Sequence, residues 1–280
     1  MNRITLLTAL LCSVGLLGCA TPDTATPVSD VAKRVQALLP LDTLLLGEQH
    51  DAPDHQRIQR EVIETLVTRS ALAAVVLEMA MQGNSTAGLG HKGMAASEDS
   101  VRAALKWDDT AWPWTTYSPA VMAAVRAGVP VMGANLPRAQ MSAAMKELDL
   151  DQRLSGPALK AQQQLIRIGH CNLLPENQIS SMTRIQIARD VAMANTLVKA
   201  LADAAQPGKT VVLLAGSGHV DRRLGIPQHL PQGLTSKSVL LIAASASEGM
   251  ERIAGFDVIW PAAAVPVKDY CAGVKATMSG

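Results

Sequence analysis

Six short apolar runs constrain the fold of this chain more than any other feature. They fall at residues 43–47, 73–78, 129–134, 210–215, 238–243 and 256–260. Most lack the apolar–polar alternation of a half-exposed strand, so they read as strands buried on both faces of a parallel sheet. Stretches with helical spacing separate them; after the first run, Ile58, Val62, Ile63, Leu66 and Val67 recur at the helical period. This alternation predicts an α/β fold, a central and mostly parallel sheet flanked by helices. Two intervals, 80–118 and 136–208, are too long for simple crossovers and predict a helical insertion or lid subdomain. The second holds an amphipathic helix on Met182, Ile185, Ala188, Val191 and Leu197.

The runs end in polar residues. The first passes through Gly47 into Glu48-Gln49-His50-Asp51, and Pro53 and Asp54 then open a helix with His55 in its first turn. Glu48 and His50 are two apart on an extended backbone, so their side chains leave one face about 6.6 Å apart. The second run ends in Glu78, the third in Asn135, the fourth in Gly216-Ser217-Gly218-His219. In a parallel sheet these carboxyl ends share one edge, where open α/β folds bind ligands. Each residue alone has a plainer reading. Asp51 and Asp54 suit helix caps, His50 and His55 suit bonds to loop backbone, and Glu78 suits a local ion pair. Four polar strand ends in succession favour a site. Glu48, His50 and His219 also form a donor set suited to a divalent metal such as zinc, iron or manganese.

Most of the few aromatics fall in one stretch, as Trp107, Trp112, Trp114 and Tyr117. They form either a wall for a flat ligand, with a Tyr117 phenolate for iron, or a small core under the insertion. His170 is a further candidate ligand, while Met182 and Met193 read as core filling. Arg138 reads as a surface or network charge or, since it follows Asn135-Leu136-Pro137 at the crevice edge, as a bidentate grip for a carboxylate such as a haem propionate. Arg189 and Asp190 read as surface or network charges.

The N-terminus carries Arg3, an apolar run over residues 4–17, and Leu16-Leu17-Gly18-Cys19, which looks like a bacterial lipobox. Residues 1–18 are thus expected to be a lipoprotein signal peptide and Cys19 the lipidated first residue; the alternative is an ordinary secretory peptide with Cys19 a free thiol. The run is short for a membrane span. Ala20 in place of an acid points to the outer membrane. The expected location is the bacterial cell envelope, lipid-anchored and facing the periplasm. Residues 19–34 are expected to be a tether, 35–265 one α/β domain, and 266–280 a tail. A net charge of +1 gives no sign of nucleic acid. Cys171 and Cys271 either pair in that oxidising compartment or stay free thiols. Pairing would close a loop of about 100 residues and stabilise by up to about 4.7 kcal/mol.

Taken in order, Gly47-Glu48-Gln49-His50-Asp51 with His55-Gln56, Leu77-Glu78-Met79, Asn135-Leu136-Pro137-Arg138, His170-Cys171, Arg189-Asp190 with Met193-Ala194, Leu214-Ala215-Gly216-Ser217-Gly218-His219-Val220 and Gly225-Ile226-Pro227 resemble the ChaN family. These are iron-regulated haem-binding lipoproteins, similar in fold to the Tiki and erythromycin-esterase superfamily. The resemblance implies haem at a homodimer interface, a tyrosine ligand helped by histidine, and a role in haem or iron uptake with an outer-membrane receptor as a partner. Carried onto this chain, it suggests Tyr117 as the haem ligand, with His170, Arg138 and Asn135 around the cofactor. The related metal-dependent hydrolases match at Gly47 to His50, at Glu78 and at His219. The leading expectation is therefore a haem binder and not an enzyme. The alternative is a hydrolase of esters or peptides using Glu48, His50, Glu78 and His219, and the third is a scaffold with a relict crevice.

Overall fold

A computed structural model of the chain describes residues 30–204, 207–243 and 253–272, with backbone only at 90–94. The signal peptide, Cys19 and most of the expected tether lie outside the described residues.

All six apolar runs lie in or across strands: β1 (Thr43–Glu48), β2 (Leu72–Met81), β3 (Val131–Asn135), β4 (Thr210–Gly216), β5 (Ser236–Ala243) and β6 (Val258–Ala262). Among the described residues they form one sheet in the order β3-β2-β4-β1-β5-β6, parallel throughout. The chain leaves β1, skips a place to form β2, moves out to β3, and returns to insert β4 between β2 and β1. From β1 the chain goes one way along the sheet, and from β4 the other. Their shared carboxyl edge is the kind of switch point at which a crevice opens.

Helices cover both faces. Leu44, Leu46, Leu77, Val212 and Leu214 pack beneath α1 (Asp30–Leu38), α2 (Pro53–Thr68) and α4 (Trp114–Arg126). Leu45, Val76 and Leu213 face the long helix α7 (Glu176–Ala202) through Met193, Ala194 and Leu197. Each such buried leucine contributes about 1.5–3 kcal/mol relative to exposure. The period of two also decides where the strand-end acids point. Glu48 continues the parity of Leu44 and Leu46 and enters the α2/α4 layer. Glu78 continues the parity of Ala74 and Val76 and enters the α7 layer. The pairing of β2 with β3 shifts register between Leu77 and Met81, around Glu78, an irregularity of the kind that re-aims side chains beside sites.

Helix α1 begins at Asp30, inside the stretch expected as tether, because Val31 and Val35 are buried in the core. The interval 80–118 holds a 3₁₀ segment (Thr86–Ala95), α3 (Glu98–Leu105) and the start of α4. The interval 136–208 holds α5 (Arg138–Ala144), a 3₁₀ turn (Leu148–Arg153), α6 (Gly156–Gly169) and α7. Helix α7 is itself a layer of the fold, and α5 and α6 pack on it. Among the described residues no helix is long and apolar enough to cross a membrane.

Candidate functional site

The first half of the site is built around Glu48, which is only 1 % exposed. Gln56 and Gln59 lie one turn apart on α2 and donate their amides to its Oε2 at 2.7 and 2.8 Å. Tyr117 on α4 donates its hydroxyl to Oε1 at 2.7 Å. His50, in the turn after β1, brings Nδ1 to the same Oε1 at 2.7 Å. Four donors thus converge on one carboxyl group. Burial disfavours a charged His50, but the Glu48 hydrogen bond and the charges of Glu78 and Glu48 outweigh it and raise its pKa. Gly216 makes room for the ring: a Cβ there would sit 2.9 Å from His50 Nε2. The edge of Trp112 packs on the His50 ring, with centroids 4.8 Å apart.

The second half is built around Glu78, 2 % exposed. Its Oε1 meets Arg189 Nη2 at 2.6 Å and His219 Nε2 at 3.3 Å, and its Oε2 accepts the Gly216 amide at 2.7 Å. Asn135 accepts from Arg189 Nε at 2.9 Å and donates to the Glu78 carbonyl at 3.0 Å, which fixes the guanidinium. On its other side, His219 Nδ1 lies 2.5 Å from Asp190 Oδ1. Burial opposes ionisation of Glu78, yet His219, Arg189 and His50 hold it far below the carboxylate range. Burial likewise opposes a charged His219, and Glu78 and Asp190 reverse that and lift it to about 9. Burial pushes Asp190 up to about 6. His50 Nε2 stands 4.0 Å from Glu78 Oε2, so it bridges the two halves.

A cleft of about 660 Å³ opens over this row, within the range of small-molecule sites. It is lined by Glu48, His50, Glu78, Arg189 and His219, by the end of β5, and by Tyr270. The Tyr270 hydroxyl lies 3.0 Å from both Asp51 oxygens and accepts from Gln49 Nε2 at 2.9 Å. Burial, then Asp51, raise its pKa. Cys271, next to it, is disulfide-bonded to Cys171.

The structure therefore brings Glu48, His50, Glu78, Asn135 and His219 to one edge, as their strand-end positions predict. Other residues lie elsewhere. Tyr117 is buried and its hydroxyl is committed to Glu48; burial and that acid push the phenol far above its usual pKa, so it presents no ligand to the cleft. His170 caps α6 with Nδ1 on the Ile166 carbonyl, and Arg138 is an exposed partner of Asp108; neither lines the cleft. His55 holds the turn by accepting the Gln49 amide at Nδ1. Ala52 is the N-cap of α2, so neither Asp51 nor Asp54 caps it. Trp107, Trp112 and Trp114 form a small aromatic core with Tyr117.

The expected divalent metal does not suit these side chains. Both His219 nitrogens already face carboxyl oxygens, Nε2 that of Glu78 and Nδ1 that of Asp190. Among the described residues no three His, Cys, Asp or Glu groups converge as metal ligands.

Asp190, Arg189, Gln56, Gln59 and Tyr270 escape the strand-end argument. Asp190 had a legible signal, an acid in step with Ile179, Thr183, Ile187, Ala194 and Leu197 on the buried stripe of α7. Gln56 and Gln59 likewise share the buried face of α2.

Fold and cleft together define an α/β protein with a polar cleft at the switch point of a parallel sheet. A family model described as haem-binding uptake, Tiki superfamily, ChaN matches residues 34–230, and the chain belongs to that family. The solved structure described as cofacial heme binding to ChaN of Campylobacter jejuni is similar over 77 % of this chain and 87 % of that one, with 23 % identity and a TM-score of 0.62. The type III effector HopBA1 is similar over 84 % of this chain and 94 % of that one, at 16 % identity and a TM-score of 0.48. The likeness to the Campylobacter protein is one of fold. No curated protein matches the chain in sequence.

Proposed function

We propose that the chain is a lipid-anchored envelope protein that binds haem in the strand-end cleft and serves haem or iron uptake. The family supports the ligand class, and one observation supports the place: the partly exposed phenol of Tyr270 at the mouth of the cleft. The donor set fits a haem, since a phenol oxygen is an established ligand for its iron. Ile242 and Ala243 offer apolar contact, and Arg189 and Lys268 offer positive charge near the cleft. When bound, haem supplies a Lewis-acidic iron. Gln49 donates to the phenol oxygen and would steady it as an anion beside the iron, while Asp51 accepts the hydroxyl hydrogen of the free phenol. Because Asp51 disfavours the free phenolate, the oxygen becomes anionic only against a cation. Tyr270 replaces Tyr117 in this role.

A homodimer closing over the cleft, a lipid on Cys19 and delivery from an outer-membrane receptor belong to the same reading. The test is titration of the purified chain with haemin. A Soret band that saturates at a fixed stoichiometry supports the reading, and a linear, unsaturating rise contradicts it.

The Glu48–His50 pair favours a second reading, a hydrolase of esters or peptides. A buried acid orienting an imidazole that lines a cleft is the arrangement of a general base. In that case His50→Ala abolishes turnover; a chain inert toward ester and peptide panels removes this reading.

A further inference from the structure

Tyr270 sits at the end of a mostly exposed segment. After β6 the chain runs from Ala263 to Asp269 without regular structure and mostly exposed, Val267 at 93 %. The polar contacts near Tyr270 are surface ones. Ala263 donates to Asp54 at 2.7 Å, Lys268 reaches Asp51 at 3.3 Å, and the phenol meets Gln49 and Asp51. Exposed bonds of this kind each contribute little. Apolar burial adds little, because Tyr270 itself is 55 % exposed.

The covalent attachment falls one residue further on. Cys271 is bonded to Cys171, which follows α6 in the turn that leads into α7. Cys171 and Asn172 there have φ of +59° and +56°. The left-handed region is uncommon for cysteine. The turn between α6 and α7, of which α7 packs against the sheet, thus anchors the tail beside the one aromatic oxygen that the cleft receives from it.

We propose that the Cys171–Cys271 disulfide is a positioning device for the haem ligand, fixing Tyr270 over the cleft so that haem affinity depends on the pair being oxidised. The inference rests on the reading of Tyr270 as the ligand. A dithiol reductant, itself oxidised to a disulfide, supplies the two electrons and two protons that convert the bond to two thiols. Tyr270 is then tethered through about eight residues to the end of β6, a reach of roughly 26 Å. Its effective concentration at the cleft falls accordingly.

The experiment uses the full chain and haemin as probe, comparing wild type, Cys171→Ser/Cys271→Ser and Tyr270→Phe. The proposal predicts a tenfold or greater rise in the apparent haemin Kd of the double serine variant. It also predicts a weakened phenolate-to-iron charge-transfer band, with the circular dichroism of the fold retained. A merely structural crosslink would leave that band in place. A double variant that binds haemin with wild-type affinity and spectrum overturns the proposal, provided Tyr270→Phe alters both. An unaltered Tyr270→Phe spectrum instead removes the ligand reading, and this inference with it. If the double variant does not fold, folded wild type is measured before and after reduction by a water-soluble phosphine, with the same two outcomes.

Discussion

The hydroxyl of Tyr117 donates to Oε1 of Glu48 across 2.7 Å, at a buried position that does not line the cleft. Tyr117→Phe therefore leaves that carboxyl one donor short. The expected loss is about 1–3 kcal/mol of stability, read by denaturant unfolding, with the haemin spectrum unchanged. A shifted Soret band in Tyr117→Phe would return this residue to the ligand role.

Glu78 is the acid between Arg189 and His219. Glu78→Gln leaves a buried imidazolium and a half-buried guanidinium without their shared anion. Removing one member of such a cluster costs about 3–5 kcal/mol. The variant is expected to unfold at markedly lower denaturant, whereas Arg138→Ala, which breaks an exposed pair with Asp108, is expected to change stability by less than about 1 kcal/mol.

His219 gives the fold an alkaline limit. Its folded pKa, about 9, lies above the ordinary 6.5, so between those values the folded state binds the proton that the unfolded state has lost. Its contribution is complete below pH 6.5 and disappears as pH rises through 9, a loss of about 3 kcal/mol. His219→Asn is expected to flatten that slope in unfolding measured from pH 6 to 10. Glu78 acts at the other end, since its depressed pKa gives stability that is present above about 4.5 and lost as pH falls.

The sheet was legible because burial on both faces leaves an unmistakable mark, as in Leu44-Leu45-Leu46 and Val75-Val76-Leu77. The convergence of Glu48, His50, Glu78 and His219 followed from parallel strands sharing one edge. What strand reading cannot supply is the layer above. Asp190 reaches His219 from a helix contributed by a long interval, and Gln56 and Gln59 reach Glu48 from the next turn of α2. Tyr270 was hidden most deeply. It lies next to a crosslink spanning 100 residues, and spacing alone left Cys171 and Cys271 free to pair or not. Tyr117 was misplaced for the converse reason: its helix turns it inward, to the side of the sheet that Glu48 also faces.

Haemin titration of Tyr270→Phe beside wild type decides whether this phenol binds the iron. The variant is expected to lose the phenolate-to-iron band, shift its Soret maximum and bind at least tenfold more weakly, about 1.4 kcal/mol or more. Identical spectra and affinities for the two proteins would contradict it.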